Sequence, residues 1–320
     1  MISNRENTMK SSFKNLLFVF MVLVLAFSSY GFQSHYIHTN DSLPIAKIGE
    51  RINANGVYMT VLNVQTVKQL GEYMSADAGK VFLDVEVYFE NESEDKEAPY
   101  NPFNFKVKDG EGQEYDSYLM SLKPSLTSGD LAKGEFARGH VAFEVMEKSN
   151  GFILNYEPLS LFGEYKEIKV DLSQTAENPI KEPEPKAIPA KYKIGDKAEL
   201  EGVAVTILGM SQQANLAGFM TPSEGYTFVD LEVLIENVGR DDETPYNPLY
   251  FEIKDSKGYE YTSSMMSVEP SLTNGDLSKG EKVKGHVAFE VKADATGVVA
   301  IYQPQVILGG YEKIVVNLIQ

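Results

Sequence analysis

Hydrophobic and polar residues alternate with a period of two along much of this chain. "VFLDVEVYFEN" places Val81, Leu83, Val85, Val87 and Phe89 on one side and Asp84, Glu86 and Glu90 on the other. "FNFKVK" alternates Phe103, Phe105 and Val107 against Asn104, Lys106 and Lys108, and "EIKVDL" does the same with Ile168, Val170 and Leu172. Successive side chains of a strand point to opposite faces, so the pattern predicts strands with one buried and one wet face. Between them, "KDGEGQEY" and "KDSKGYEY" read as hairpin turns, with Gly112 and Gly258 free to take a positive φ. No long amphipathic helix is indicated. Some seven or eight short strands per unit, punctuated by turns, predict an all-β fold of immunoglobulin-like antiparallel β-sandwiches.

There are two such units. Sliding the chain by 146 residues (193 − 47) aligns "KIGERINANGVYMTVL" with "KIGDKAELEGVAVTIL" and continues without a gap to Gln320, with about 57 of 128 pairs identical. "PSLTSGDLAKGEFARGHVAFEV" (124–145) returns as "PSLTNGDLSKGEKVKGHVAFEV" (270–291). A repeat this long is a domain, since solenoid units run to only ~20–50 residues. The expected organisation is a leader at 1–31, a lead-in at 32–46, copy 1 at 47–174, a linker at 175–192 and copy 2 at 193–320. Pro179, Pro183, Pro185 and Pro189 make the linker read as a semi-rigid polyproline II spacer, reaching at most ~50 Å at about 3.1 Å per residue.

The leader changes the address. From Met9, Lys10 and Lys14 precede an apolar run from Leu16 to Phe27, followed by small residues such as Ala26, Ser28 and Gly31. The run suits a signal peptide and is short of the ~20 residues a bilayer span needs. Cleavage near Ser28–Gly31 is expected, with an uncleaved membrane anchor as the alternative; both place the domains outside the cytoplasm. Forty-six acidic and 29 basic residues, a net −17, argue against nucleic acid or an anionic membrane surface as partner. The absence of cysteine excludes disulfides, thiolate metal sites, a cysteine nucleophile and lipid attachment through an N-terminal cysteine.

The run G-D-L-x-K-G-E-x-x-x-G-H-V-A-F-E-V, with F-x-x-K-D-x-x-G-x-E-Y upstream, resembles the bacterial telokin-like family, domain of unknown function 4352. The likeness covers both copies. It implies an immunoglobulin-like sandwich in a secreted or lipid-anchored protein, and it brings no catalytic residues, because the family has no established activity. The lack of a cysteine to acylate departs from the lipid-anchored members.

Candidate chemistry is sparse. His140 and Glu144, like His286 and Glu290, share an outward strand face about 13 Å apart, too far to meet on a metal ion. Ser121, His140 and Asp130 could be drawn as a triad, but no nucleophile elbow accompanies them. The loops "ENESEDKEAPYNP" and "ENVGRDDETPYNP" offer Glu94, Asp95 and Glu97, and Asp241, Asp242 and Glu243, as oxygen ligands for calcium. Each loop ends in Pro-Tyr-Asn-Pro, where Tyr100 and Asn101, or Tyr246 and Asn247, would be stiffly presented as contact residues. These features predict a non-enzymatic, cofactor-free binding protein with an extracellular or cell-envelope partner. A secreted envelope enzyme or a calcium-dependent module is the alternative. If it binds, the duplication would supply avidity through two spaced sites.

Overall fold

The computed structural model describes residues 44–71, 74–93, 97–157, 167–240, 242–304 and 313–318. The expected leader, much of the lead-in, and Glu94, Asp95 and Asp241 lie outside the described residues. No described helix is long and apolar enough to cross a membrane.

Copy 1 is built from β1 (Ala46–Ile48), β2 (Arg51–Ala54), β3 (Val57–Val67), β4 (Lys80–Asn91), β5 (Ala98–Tyr100) and β6 (Phe105–Lys108). It continues with β7 (Glu114–Asp116), β8 (Gly129–Leu131), β9 (Phe136–Met146), β10 (Ile153–Tyr156) and β11 (Ile168–Thr175). Copy 2 repeats the series as β12 (Tyr192–Lys193), β13 (Ala198–Leu200), β14 (Val203–Gln213), β15 (Tyr226–Asn237), β16 (Thr244–Tyr246) and β17 (Phe251–Lys254). Its remaining strands are β18 (Glu260–Thr262), β19 (Gly275–Leu277), β20 (Lys282–Lys292), β21 (Val299–Tyr302) and β22 (Ile314–Asn317). In each copy a five-stranded sheet, β1-β11-β10-β6-β7 or β12-β22-β21-β17-β18, accompanies a four-stranded one, β9-β4-β3-β2 or β20-β15-β14-β13. The short ribbons β5-β8 and β16-β19 close one end. The pairs β1–β11 and β12–β22 are parallel, and the other pairs are antiparallel.

Alternation builds the two cores. Val81, Leu83, Val85, Val87 and Phe89 of β4 meet Phe105, Val107, Leu154 and Val170 of the facing sheet. Copy 2 repeats this with Leu231, Val233 and Ile235 against Phe251, Ile253, Ala300 and Val316. Each core is composed of its own copy's residues, so each sandwich is closed by itself. Phe103 departs from the expected pattern. It lies in a 3-10 turn (Pro102–Asn104) and is 58 % exposed, because the strand begins only at Phe105.

The duplicated 22-residue stretch is a covering strap and its turn. Leu126 N–H donates to the His140 carbonyl and His140 N–H to the Pro124 carbonyl, so the strap satisfies the outer edge of β9. That approach demands glycine: a Cβ on Gly139 would sit 2.4 Å from the Leu126 Cα, and one on Gly285 2.6 Å from the Leu272 Cα. Gly129 and Gly275 pair across from Tyr100 and Tyr246 in the end ribbons. Asn91 and Asn237 donate to the carbonyls of Leu131 and Leu277, tying the ribbon to the long strand.

The outer face of β4 is also buried, against expectation. Phe82, Asp84, Glu86 and Tyr88 are all buried: Phe82 and Asp84 under Tyr118 and Leu122 of copy 1 itself, Tyr88 under Ile180 and Ile188 of the linker, and Glu86 against Tyr259 of copy 2. Nor is the linker a spacer. Ile180 and Ile188 pack on Leu62, Tyr88 and Phe136 of copy 1, and Lys186 N–H donates to the Ser256 carbonyl of copy 2. These contacts hold the linker against both copies, and the two sandwiches lie within one compact unit.

Candidate functional site

The chemistry gathers where the two sandwiches meet. The tip of the β17–β18 hairpin turns at Gly258, whose φ of 95° is a left-handed conformation that glycine adopts without strain. Its carbonyl accepts the Arg138 N–H of β9 at 2.8 Å, and Arg138 stacks over the Tyr259 ring at 4.5 Å. Arg138 Nε donates to Glu86 at 2.8 Å, and its two terminal nitrogens form a fork to Glu182 of the linker at 2.9 Å each. Burial alone would lower the Arg138 pKa, but the partners Glu182 and Glu86 hold it above its ordinary value. The Tyr259 hydroxyl donates to Glu86, and its own pKa is raised by burial and then by that carboxylate.

Next along β18, Glu260 is 7 % exposed and accepts from the Tyr100 hydroxyl at 2.6 Å, from Thr127 and from Lys254 Nζ at 2.8 Å. Burial pushes the Glu260 carboxyl up, yet Lys254 and the two hydroxyls bring it below its ordinary value. Burial and the Glu260 charge raise the Tyr100 hydroxyl well above its own.

Two cavities flank this contact. One of about 500 Å³ is lined by Tyr100, Asp130 and Glu135 of copy 1 and by Tyr250, Glu252 and Lys313 of copy 2. The other, of about 580 Å³, lies between Lys123, Thr127 and Ser128 of copy 1 and Tyr226, Glu252 and Glu290 of copy 2. Glu252 lines both. Lys313 is taken by Glu135 at 2.6 Å, Lys123 by Glu290 at 2.5 Å and Lys254 by Glu260. Glu252 and Asp130 have no ion-pair partner among the described residues. Burial, then the neighbouring Glu260 charge, pushes the Glu252 carboxyl up to about 7. Burial and then Glu97 raise Asp130. The junction therefore presents carboxylate without a matching cation.

The residues singled out in the sequence fare differently. Tyr100 is buried, 5 % exposed, and serves the interdomain contact, so it cannot present its ring to a partner. Asn101 and Asn247 cap the 3-10 turns Pro102–Asn104 and Pro248–Tyr250, their side chains accepting from Phe103 N–H at 2.8 Å and Leu249 N–H at 2.9 Å. Tyr246 is half-buried and packs against the copy 2 core. Glu97, Asp242 and Glu243 are exposed. Among the described residues no group of three or more His, Asp or Glu is placed to hold a metal ion. Ser121, His140 and Asp130 do not converge. His140 Nδ1 instead pairs with buried Asp84 at 2.7 Å, the Ser121 hydroxyl donates to the Leu122 carbonyl, and Asp130 sits opposite Pro99. His286 pairs with Asp230 at the same 2.7 Å. Both histidines act as cross-strand ties.

Sequence reading missed Arg138, Glu252, Tyr259 and Glu260. A signal was present for three of them, which stand where the copies diverge, whereas Glu260 has its like, Glu114, at the offset. Arg138, Phe136, Tyr259 and Glu252 have Lys284, Lys282, Gln113 and Lys106 as their counterparts at the 146-residue offset.

A family model described as "Domain of unknown function (DUF4352)" matches residues 46–168 and 192–314. No curated protein matches the chain. Among solved structures, the yjhA protein from Bacillus subtilis is 24% identical, with a TM-score of 0.33 over 40% of this chain and 99% of that one. The secreted protein MPT63 from Mycobacterium tuberculosis is 11% identical (TM-score 0.31), covering 41% of this chain and 99% of its own. An uncharacterized beta-sandwich protein from Clostridium difficile 630 is 14% identical (TM-score 0.25), over 40% and 94%.

Proposed function

The chain belongs to the DUF4352 family, carrying two copies of that domain, and we propose that it is a non-enzymatic binding protein acting outside the cytoplasm. Its contact region is the cleft at the junction of the two copies, and its partner is a protein or cell-envelope component that presents a cationic group. The observation that carries this reading is Glu252. It is a carboxylate shared by two cavities, without an ion-pair partner among the described residues, and held near neutrality beside Glu260. A cation entering there would be attracted by Glu252 and Asp130 and would relieve the repulsion between Glu252 and Glu260. The lysine-flanked apolar run after Met9 supports the extracellular or envelope address. The net −17 favours cationic partners in general, so the test must separate the cleft from bulk charge.

The test is capture from a cell-surface extract on immobilised protein, comparing wild type with Glu252→Gln plus Asp130→Asn and with a charge-matched control at exposed Glu199 and Glu201. A component retained by wild type and control but lost from the cleft variant is the expected result. Equal retention by all three would show that the cleft is not the contact region.

A further inference from the structure

The contact between the two sandwiches is heterologous: the hairpin of copy 2 docks on a face of copy 1, not on its own equivalent. Because the copies are related by a constant offset, the molecule keeps one unused half of the same contact at each end. The free hairpin is β6–β7 with Gly112, Gln113 and Glu114, all exposed. The free face is that of β15–β20 with Thr273, exposed, and Tyr246, half-buried. We propose that these halves join between molecules, so that the protein associates head to tail with further copies of itself.

Three observations support this occupant. The clamp residues are retained: Tyr100, Thr127 and Glu260, which meet inside the chain, correspond to Tyr246, Thr273 and Glu114. Both free halves hold the same internal pairs as the used ones. Lys108 Nζ lies 3.1 Å from Glu114 as Lys254 lies 2.8 Å from Glu260, and Lys284 lies 2.6 Å from Glu232 as Arg138 lies 2.8 Å from Glu86. The charges are complementary, since the free hairpin carries exposed Glu111 and Glu114 and the free face carries exposed Lys282 and Lys284. A heterologous contact that does not close on itself propagates into a chain of molecules.

The contact between molecules is weaker than the one within. Gln113 replaces Tyr259 and Lys282 replaces Phe136, so the free halves lack the aromatic contacts of the joint within the chain. Inside the chain the linker supplies an effective concentration on the order of millimolar. Association between molecules therefore calls for comparable crowding, such as tethering at a surface.

Small-angle scattering and sedimentation velocity on residues 42–320, the compact unit, test this between about 10 µM and 1 mM, the range expected of a weak contact. Wild type should grow in mass with concentration. Thr273→Glu, which sets a carboxylate opposite Glu114, should hold it monomeric, and adding Glu114→Lys should restore growth. Tyr246→Phe, which removes only the hydroxyl awaiting Glu114, should weaken association about tenfold. All three positions lie outside the interdomain joint, so the fold is spared. A wild type that stays monomeric throughout, or growth indifferent to Thr273→Glu, overturns the proposal.

Discussion

Replacing Arg138 by methionine, beside the same change at Lys284, measures the interdomain joint with the molecule as its own control. The two positions are equivalent strand residues at the 146-residue offset, each paired with a glutamate of the neighbouring strand two residues from its register partner, Glu86 or Glu232. Arg138 also forks to Glu182 and stacks on Tyr259, and the two pairs differ in burial. The Arg138 side chain is 4 % exposed and its Glu86 partner 10 %, whereas Lys284 and Glu232 are 54 % and 32 % exposed. Breaking a buried pair leaves one uncompensated charge and costs about 3–5 kcal/mol, while an exposed pair contributes about 0–1 kcal/mol. Glu86 keeps the Tyr259 hydroxyl and Glu182 can return to water, so the low end, about 3 kcal/mol, is expected for Arg138→Met. Urea unfolding followed by circular dichroism reads the difference as a midpoint shift of about 1 M, at a slope near 3 kcal/mol per M. Trypsin supplies a second reading. With Glu182 released, Lys181 and Lys186 of the linker should be cut faster in Arg138→Met and at the wild-type rate in Lys284→Met. If the two variants lose the same stability, within about 0.5 kcal/mol, the reasoning from burial is refuted.

Four further outcomes are expected. Gly139→Ala should destabilise by about 2–4 kcal/mol, because backbone and not a flexible side chain blocks its Cβ, whereas Gly209→Ala, with nothing within 4 Å of its Cβ, should change little in thermal unfolding. The folded-state pKa of Glu252, about 7, lies above the usual 4.5, so this group's contribution to stability is present at low pH and is lost as pH rises from about 4.5 through 7. After discounting for partial solvent access that loss is roughly 1–2 kcal/mol; Glu252→Gln should flatten the slope between pH 5 and 7.5 in a pH series of urea midpoints, and an unchanged slope would contradict the assignment. Residues 44–174 and 193–320 should each unfold cooperatively with β-type circular dichroism, since each core is closed within one copy; a half that is disordered alone would defeat this. N-terminal sequencing of the exported chain should begin between about Ser29 and Phe32, and a start at Met1 or Met9 would rule out cleavage.

The alternation in 81–89 and 168–172, the hairpin glycines and the 146-residue repeat were enough to determine two equivalent antiparallel sandwiches. Strand faces and turn chemistry are local properties, written into consecutive residues, and a repeat copies them wholesale. The duplicated stretch is legible in the same way, as a turn and strand, although its need for glycine at 139 becomes visible only when the strap lies 2.4 Å from the missing Cβ. The joint was decided by the tertiary structure. Tyr100 and Tyr246 stand in identical Pro-Tyr-Asn-Pro motifs, yet one is buried against Glu260, 160 residues away, and the other lies half-exposed. Phe82 and Phe228 alternate alike with their neighbours, but Leu62 is covered by the linker while its counterpart Leu208 stays 37 % exposed. The reason is geometric. A heterologous contact takes a different surface from each of two equal partners, so identical local sequences must meet different surroundings. Which copy offers its hairpin and which its face depends on where the linker lets the second sandwich come to rest, and that is a property of the assembled chain.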